Sequence, residues 1–224
     1  MNRRITLFGF GLCSLFALMN TPAHATPLPP SSTVIPDAQT NPLTEPGATL
    51  LDSITGNYEM KAGTEVLDSG VYKTWVVREA SGTIDFLYQF TTDSSSQTAI
   101  EHLTMYRFAG FTTNVGYVAN TGADGSTPAN IVPDSANRIS SGSVLAFNFD
   151  AANAVPAGMT SNILIIRTNA VSYTSGLLSI ADGATTTVPA FAPGIVPEPS
   201  ALALTAIGGL GLIGYSRRRS RAKA

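Results

Sequence analysis

The stretch Thr83-Ile84-Asp85-Phe86-Leu87-Tyr88-Gln89-Phe90 decides the fold class. Ile84, Phe86, Tyr88 and Phe90 alternate with Thr83, Asp85, Leu87 and Gln89, and a strand, whose successive side chains point to opposite faces, gathers those four on one side. The expectation is a half-buried strand with an aromatic face turned to the core. Working outward, Tyr72, Thr74 and Val76 alternate with Val71, Lys73, Trp75 and Val77 in the same way. Further strands are expected at 57–62, 100–108, 115–119, 143–149, 163–168 and 176–180. The run Ile163 to Ile166 is β-branched or Leu throughout, which suggests a central strand covered on both faces. Turn chemistry separates these segments at Asp68-Ser69-Gly70, Ser81-Gly82, Asp93 to Ser96, Gly122 to Gly125, Ser140 to Gly142, Pro156-Ala157-Gly158 and Asp182-Gly183. About eight strands with a turn every ten residues or so predict an all-β fold, an antiparallel β-sandwich. No segment carries the period of a long helix.

Composition narrows the function. Of 224 residues only 12% are charged, about half the usual share, so the chain has no basic surface for nucleic acid. One cysteine and two histidines exclude a Cys/His zinc site and any disulfide within the chain. The charges are also unevenly placed. Arg3 and Arg4 at one end and Arg217, Arg218, Arg219, Arg221 and Lys223 at the other account for seven of 13 basic residues, while all 15 acids lie between Asp37 and Glu198.

The two basic ends flank apolar runs. Met1 to Arg4 precedes an apolar run from Ile5 to Met19 and the small-x-small pattern Ala23-His24-Ala25, which reads as a secretory signal peptide (1–25) cleaved after Ala25. As a helix, 15 residues would span about 22 Å, short of the roughly 30 Å hydrocarbon core. Cleavage would remove Cys13 and His24 and leave His102 as the one histidine. At the other end, Pro197-Glu198-Pro199 precedes an apolar, Gly-rich run from Ala201 to Tyr215 and then the arginine cluster, whose charge would hold the tail on the cytoplasmic side.

This tail (196–224) resembles the PEP-CTERM sorting signal of exported bacterial proteins, with Pro197, Glu198 and Pro199 at the motif positions. The resemblance implies a C-terminal sorting helix with transient inner-membrane association. It also implies recognition by exosortase, a membrane protease-transpeptidase, after export through the Sec translocase and trimming by signal peptidase. The expected destination is the cell surface or extracellular matrix of a bacterium that makes exopolysaccharide, itself a candidate partner. The middle of the chain, at Gly70-Val71-Tyr72, Thr83 to Phe90, Gly142 to Phe149 and Ile163 to Asn169, also resembles a β-rich cargo type found ahead of such tails. That likeness implies little about activity.

Between the signals, 26–49 carries six prolines among Ser, Thr, Asn and Asp and reads as a solvated linker. Residues 50–187 form the expected β-sandwich domain, and 188–195, with Pro189 and Pro193, a second linker. No catalytic set stands out in the domain. Any Ser-His-Asp arrangement must use His102, and no Gly-x-Ser-x-Gly elbow accompanies it. Acids such as Asp52, Glu59, Asp85 and Glu101 are spread singly, so no glycosidase pair is visible. Asp93 and the loop 120–125 offer oxygen ligands without the spacing of a calcium motif, so no metal and no cofactor is expected. Trp75 and Tyr72 are the candidates for glycan contact by ring stacking, weighed against burial in the core. The reading is a non-enzymatic surface or matrix protein with a structural or adhesive passenger domain. A carbohydrate-binding module is the alternative, and a secreted hydrolase ranks last.

Overall fold

The computed structural model describes residues 25–122 and 127–195. The signal-peptide run with Ala23, and the tail with Pro197, Glu198 and Pro199, lie outside the described residues. In chain order the elements are β1 (Thr26–Pro27), β2 (Ser32–Val34), β3 (Asp37–Ala38), a 3-10 turn (Pro42–Thr44), β4 (Thr49–Ala62), β5 (Glu65–Arg78), β6 (Ile84–Thr92), β7 (His102–Tyr106), β8 (Thr113–Val118), β9 (Ser135–Arg138), β10 (Val144–Asn148), β11 (Ile163–Thr168), β12 (Tyr173–Asp182) and β13 (Ala184–Pro193). They make two sheets. The first runs β1-β8-β11-β6-β5-β4 with β3 also beside β8, and the second runs β13-β12-β7-β10-β9-β2. Every pairing is antiparallel except that of β3 with β8. Among the described residues no helix is long and apolar enough to cross a membrane.

One buried cluster draws on both sheets, with Phe86, Tyr88 and Phe90 from the first and Leu103, Phe147 and Ile180 from the second. Edge-on aromatic contacts, Phe86 on Phe108 at 5.7 Å and Phe90 on Phe149 at 6.3 Å, tie the layers together. Tyr88, which is fully buried, donates its hydroxyl to the carbonyl of Phe191 across the core at 3.0 Å.

The aromatic face of β6 is where the alternation puts it, but the other face is covered too. Asp85, Leu87 and Gln89 are all buried. Val77, Leu87 and Ile165 form a second, outer cluster under Leu43 and Ala48, so β6 is a central strand rather than a half-buried one. The cover comes from the segment expected as a linker. Residues 26–49 instead run over the body: β1 pairs with β8 in the first sheet, β2 with β9 in the second, and β3 returns to β8. Leu28 is fully buried. Prolines are tolerated because each of these strands lies at a sheet margin, where a missing N–H breaks no ladder. The same reason explains β13, which takes up most of the other expected linker. It is the edge strand of the second sheet, and Pro189 and Pro193 stand opposite Leu177 and Tyr173.

Arg138 locks the N-terminal segment in place. It is buried on β9, and its five N–H groups all have acceptors: Nε donates to Gly142 O (2.9 Å), Nη1 to Leu28 O (3.2 Å) and Thr113 Oγ1 (2.9 Å), and Nη2 to Phe108 O (2.8 Å) and Phe111 O (2.9 Å). One side chain thereby joins β1, β8 and β9 from both sheets.

One turn expectation changes. Asp68-Ser69-Gly70 lies inside β5, and the hairpin instead turns at Gly63-Thr64, where Gly63 has φ +65°. Gly70 is needed for close approach: a Cβ there would come within 2.0 Å of the Thr91 carbonyl oxygen. Asp68 is buried and accepts from the Tyr58 hydroxyl at 2.7 Å.

The registers also define two ends of the body. Tyr106 faces Val144, Thr113 faces Thr168, Tyr173 faces Pro193 and Arg78 faces Ile84. The loops 107–112 and 169–172, the turn 79–83 and the end of β13 therefore share one pole. The Gly63-Thr64 hairpin, the 93–101 loop, the 149–162 connection and the turn at Gly183 share the other.

Candidate functional site

On the outer face of the first sheet, next to the first pole, lies a cleft of about 780 Å³ lined by Thr40, Glu45, Glu79, Asn114, Arg167 and Asn169, among others. Its volume falls in the range of small-molecule sites. Strand register builds its floor, since Arg167 on β11 stands directly opposite Asp85 on β6. Glu79 comes from the turn after β5. Glu45 is the C-cap of the 3-10 turn, at whose start the Asn41 side chain accepts from Leu43 N at 3.0 Å.

Three carboxylates thus surround one guanidinium. Nη2 of Arg167 pairs with Glu45 Oε1 at 2.6 Å, and Nη1 pairs closely with Glu79 Oε1 and lies 3.6 Å from Asp85 Oδ2. Burial alone would raise the Glu45 carboxyl, but hydrogen bonds from Arg167 and Thr40 overcome it and hold Glu45 below its usual value. Asp85 goes the other way. Burial first, then the charge of Glu79, pushes it up to about 8 despite Arg167. Asp85 therefore holds its proton well above the ordinary carboxylate range, and its full burial keeps it from touching any ligand in the cleft. The arrangement works as a clamp. Arg167 pins the 41–48 segment, through Glu45, over the outer cluster of the first sheet.

The residues singled out from the sequence fall elsewhere, and they do not come together. Tyr72 is buried in the shared core with its ring against Gly56, so it is closed to a glycan. Trp75 is half-buried on the opposite face, packed on the outer cluster of Val77, Leu87 and Ile165. His102 is exposed on β7. Its Nδ1 lies 3.1 Å from Asn148 Oδ1 and its Nε2 3.9 Å from Glu101 Oε2. Ala25, the residue before the expected cleavage point, is described and buried at the margin of the cleft. Asp93 accepts from Ser69 Oγ at 2.7 Å, and no group of three metal-ligating side chains occurs among the described residues. Sequence reading missed the Arg167 cluster, although two opposite charges set in apolar strands were its signal.

Comparison with protein-family models, with curated proteins and with solved structures returns no match.

Proposed function

We propose that this chain is an exported surface or matrix protein whose two-sheet body, a β-sandwich, is a structural or adhesive passenger. In this reading the Sec translocase carries it out, signal peptidase cuts after Ala25, and exosortase acts at Pro197-Glu198-Pro199. The sequence signals at both ends motivate it, and the position of the body's own ends supports it. Ala25 lines the cleft together with Thr112, Asn114 and Asn169, and Ile195 lines a second, shallower groove with Phe111, Asn169 and Val171. The two ends lie on either side of Asn169, so a chain held by both flanks at one membrane face meets no topological conflict. β13 also ends at Pro193, only three residues before the Pro-Glu-Pro motif.

Terminal sequencing and intact mass of the protein from the surface fraction test this. The expected product begins at Thr26 and lacks the Arg217–Lys223 peptide. A surface protein that retains that peptide refutes the processing step.

The hydroxyl- and amide-lined cleft favours a second reading, the carbohydrate-binding module. Its Thr, Asn, Glu and Arg side chains suit sugar hydroxyls. A glycan array probed with the processed protein decides it, and absence of retention at millimolar oligosaccharide removes it.

A further inference from the structure

Beyond processing, we infer that the pole carrying 107–111, 169–172 and 194–195 is a lipid-facing surface that beds on an anionic bilayer. The inference rests on the proposed membrane insertion of the Ala201–Tyr215 run. Three independent observations favour lipid over water at this pole.

The first is apolar exposure. Val171 is 56% exposed and Ile195 83%, and both line one groove of about 360 Å³ with Ala109, Gly110 and Phe111. Single exposed hydrophobics are ordinary, but here they cluster on one rim. The rim is also held together: Gly194 N donates to Ser172 O and Ser172 Oγ to Gly194 O, both at 2.9 Å.

The second is charge. Arg78, at the end of β5, and Arg107, just after β7, are exposed at this pole. Arg107 adopts φ +73°, a left-handed conformation that a non-glycine residue rarely takes, and its Nη1 donates to Ser175 O at 3.1 Å. Arg167 offsets one of the two charges of Glu45 and Glu79, and Asp52, which accepts from the Tyr173 hydroxyl at 3.3 Å, adds another, so arginines and acids nearly balance at this pole. At the far pole stand Glu65, Asp93, Glu101, Asp134, Asp150 and Asp182, with Lys61 paired to Glu59. An anionic surface repels the acidic far pole and leaves the near-neutral, arginine-bearing pole as the one that can approach it.

The third is reach. Six residue steps separate Ile195 from Ala201, which at full extension is about 20 Å. A body tethered that closely, with its apolar and arginine-bearing pole at the tether, has a short path to contact.

Site-directed spin labelling tests this on the full chain reconstituted in vesicles of phosphatidylglycerol and phosphatidylethanolamine. Cys13→Ser removes the native thiol, and labels are placed singly through Val171→Cys and Thr64→Cys, both at exposed positions. The expected result is that the Val171 label collides with lipid-soluble oxygen and is shielded from an aqueous nickel chelate, while the Thr64 label at the far pole stays water-accessible. Arg78→Glu with Arg107→Glu should lower the bedded population at Val171 by about 30-fold or more while the chain still sediments with the vesicles. A Val171 label as water-accessible as Thr64, in a chain that does sediment with vesicles, overturns the inference alone. An unchanged Val171 label in the double arginine variant overturns the anionic-lipid assignment. Failure to sediment at all overturns the insertion of Ala201–Tyr215 and the inference with it.

Discussion

Replacing Arg138 by alanine removes five hydrogen bonds, to four backbone carbonyls and one threonine hydroxyl, at the junction of β1, β8 and β9; the Leu28 carbonyl keeps Thr113 Oγ1 and the Phe108 carbonyl keeps Phe111 N, while the Gly142 and Phe111 carbonyls lose the donor Arg138 supplied. A buried acceptor left without a donor costs about 1–3 kcal/mol. Some of these, the Phe111 carbonyl among them, are only partly buried and will recover a water. Removing the cation also relieves its own desolvation, which already holds the guanidinium below its usual value. The balance is a loss of about 3–5 kcal/mol, which for a body of this length lowers Tm by about 8–15 °C. Urea unfolding followed by the fluorescence of Trp75, the chain's one tryptophan, measures it. Arg138→Lys separates charge from geometry: three donors on one nitrogen cannot span five acceptors, so this variant should recover less than half of the loss. Hydrogen exchange adds a local readout, since the Leu28 amide, bonded to Thr113 O at 2.8 Å, should exchange faster in Arg138→Ala before the core strands do. A variant within about 1 kcal/mol of wild type, or full recovery by lysine, would refute the argument that this fork holds the N-terminal segment.

Three further outcomes follow from the same geometry. Asp85 has a folded-state value near 8 against an unfolded value near 4, so the fold binds the extra proton and stability falls as pH rises from about 4 to 8; Asp85→Asn should flatten that slope in urea midpoints taken across the range, and an unchanged slope contradicts it. Arg167→Ala leaves Glu45 and Glu79 facing each other without a cation, so the 41–48 segment should lift and become the first site of limited proteolysis, at a cost of about 3–5 kcal/mol; a digest pattern identical to wild type argues against the clamp. Gly70→Ala drives a methyl into the Thr91 carbonyl and should cost at least about 2 kcal/mol by thermal melting, whereas Gly63→Ala, at an open turn with positive φ, should cost about 1 kcal/mol.

The strands that could be read from sequence are those whose pattern is local in character. Ile84 to Phe90 announces its aromatic face by alternation, and Ile163 to Ile166 announces double coverage by having no polar face. The second face of β6 was hidden because its cover is Leu43 and Ala48, two apolar residues in a proline-rich segment. That segment belongs to the body for reasons that composition does not record: one buried Leu28 and one arginine 110 residues away. Proline misleads in the same way at Pro189 and Pro193, where it marks an edge strand and not a linker. For the glycan candidates, the parity of Tyr72 and Trp75 already placed them on opposite faces of one strand, so the two rings could not share a platform. The Arg167 cluster needed three dimensions, because Glu45, Glu79, Asp85 and Arg167 meet only once β5, β6 and β11 are in register.

The stitched N-terminal segment has a consequence for the order of events in the proposed export. Thr26 pairs with Val115, Leu28 is held by Arg138, Glu45 by Arg167, and Tyr88 reaches Phe191. In the proposed export the first residues to emerge would therefore wait for later ones, because the strand pairings and charged contacts that fix them lie about 80–120 residues downstream. Loop closures of that length make folding slow, so under the proposed export the body would thread through as an open chain and close only after most of it has crossed.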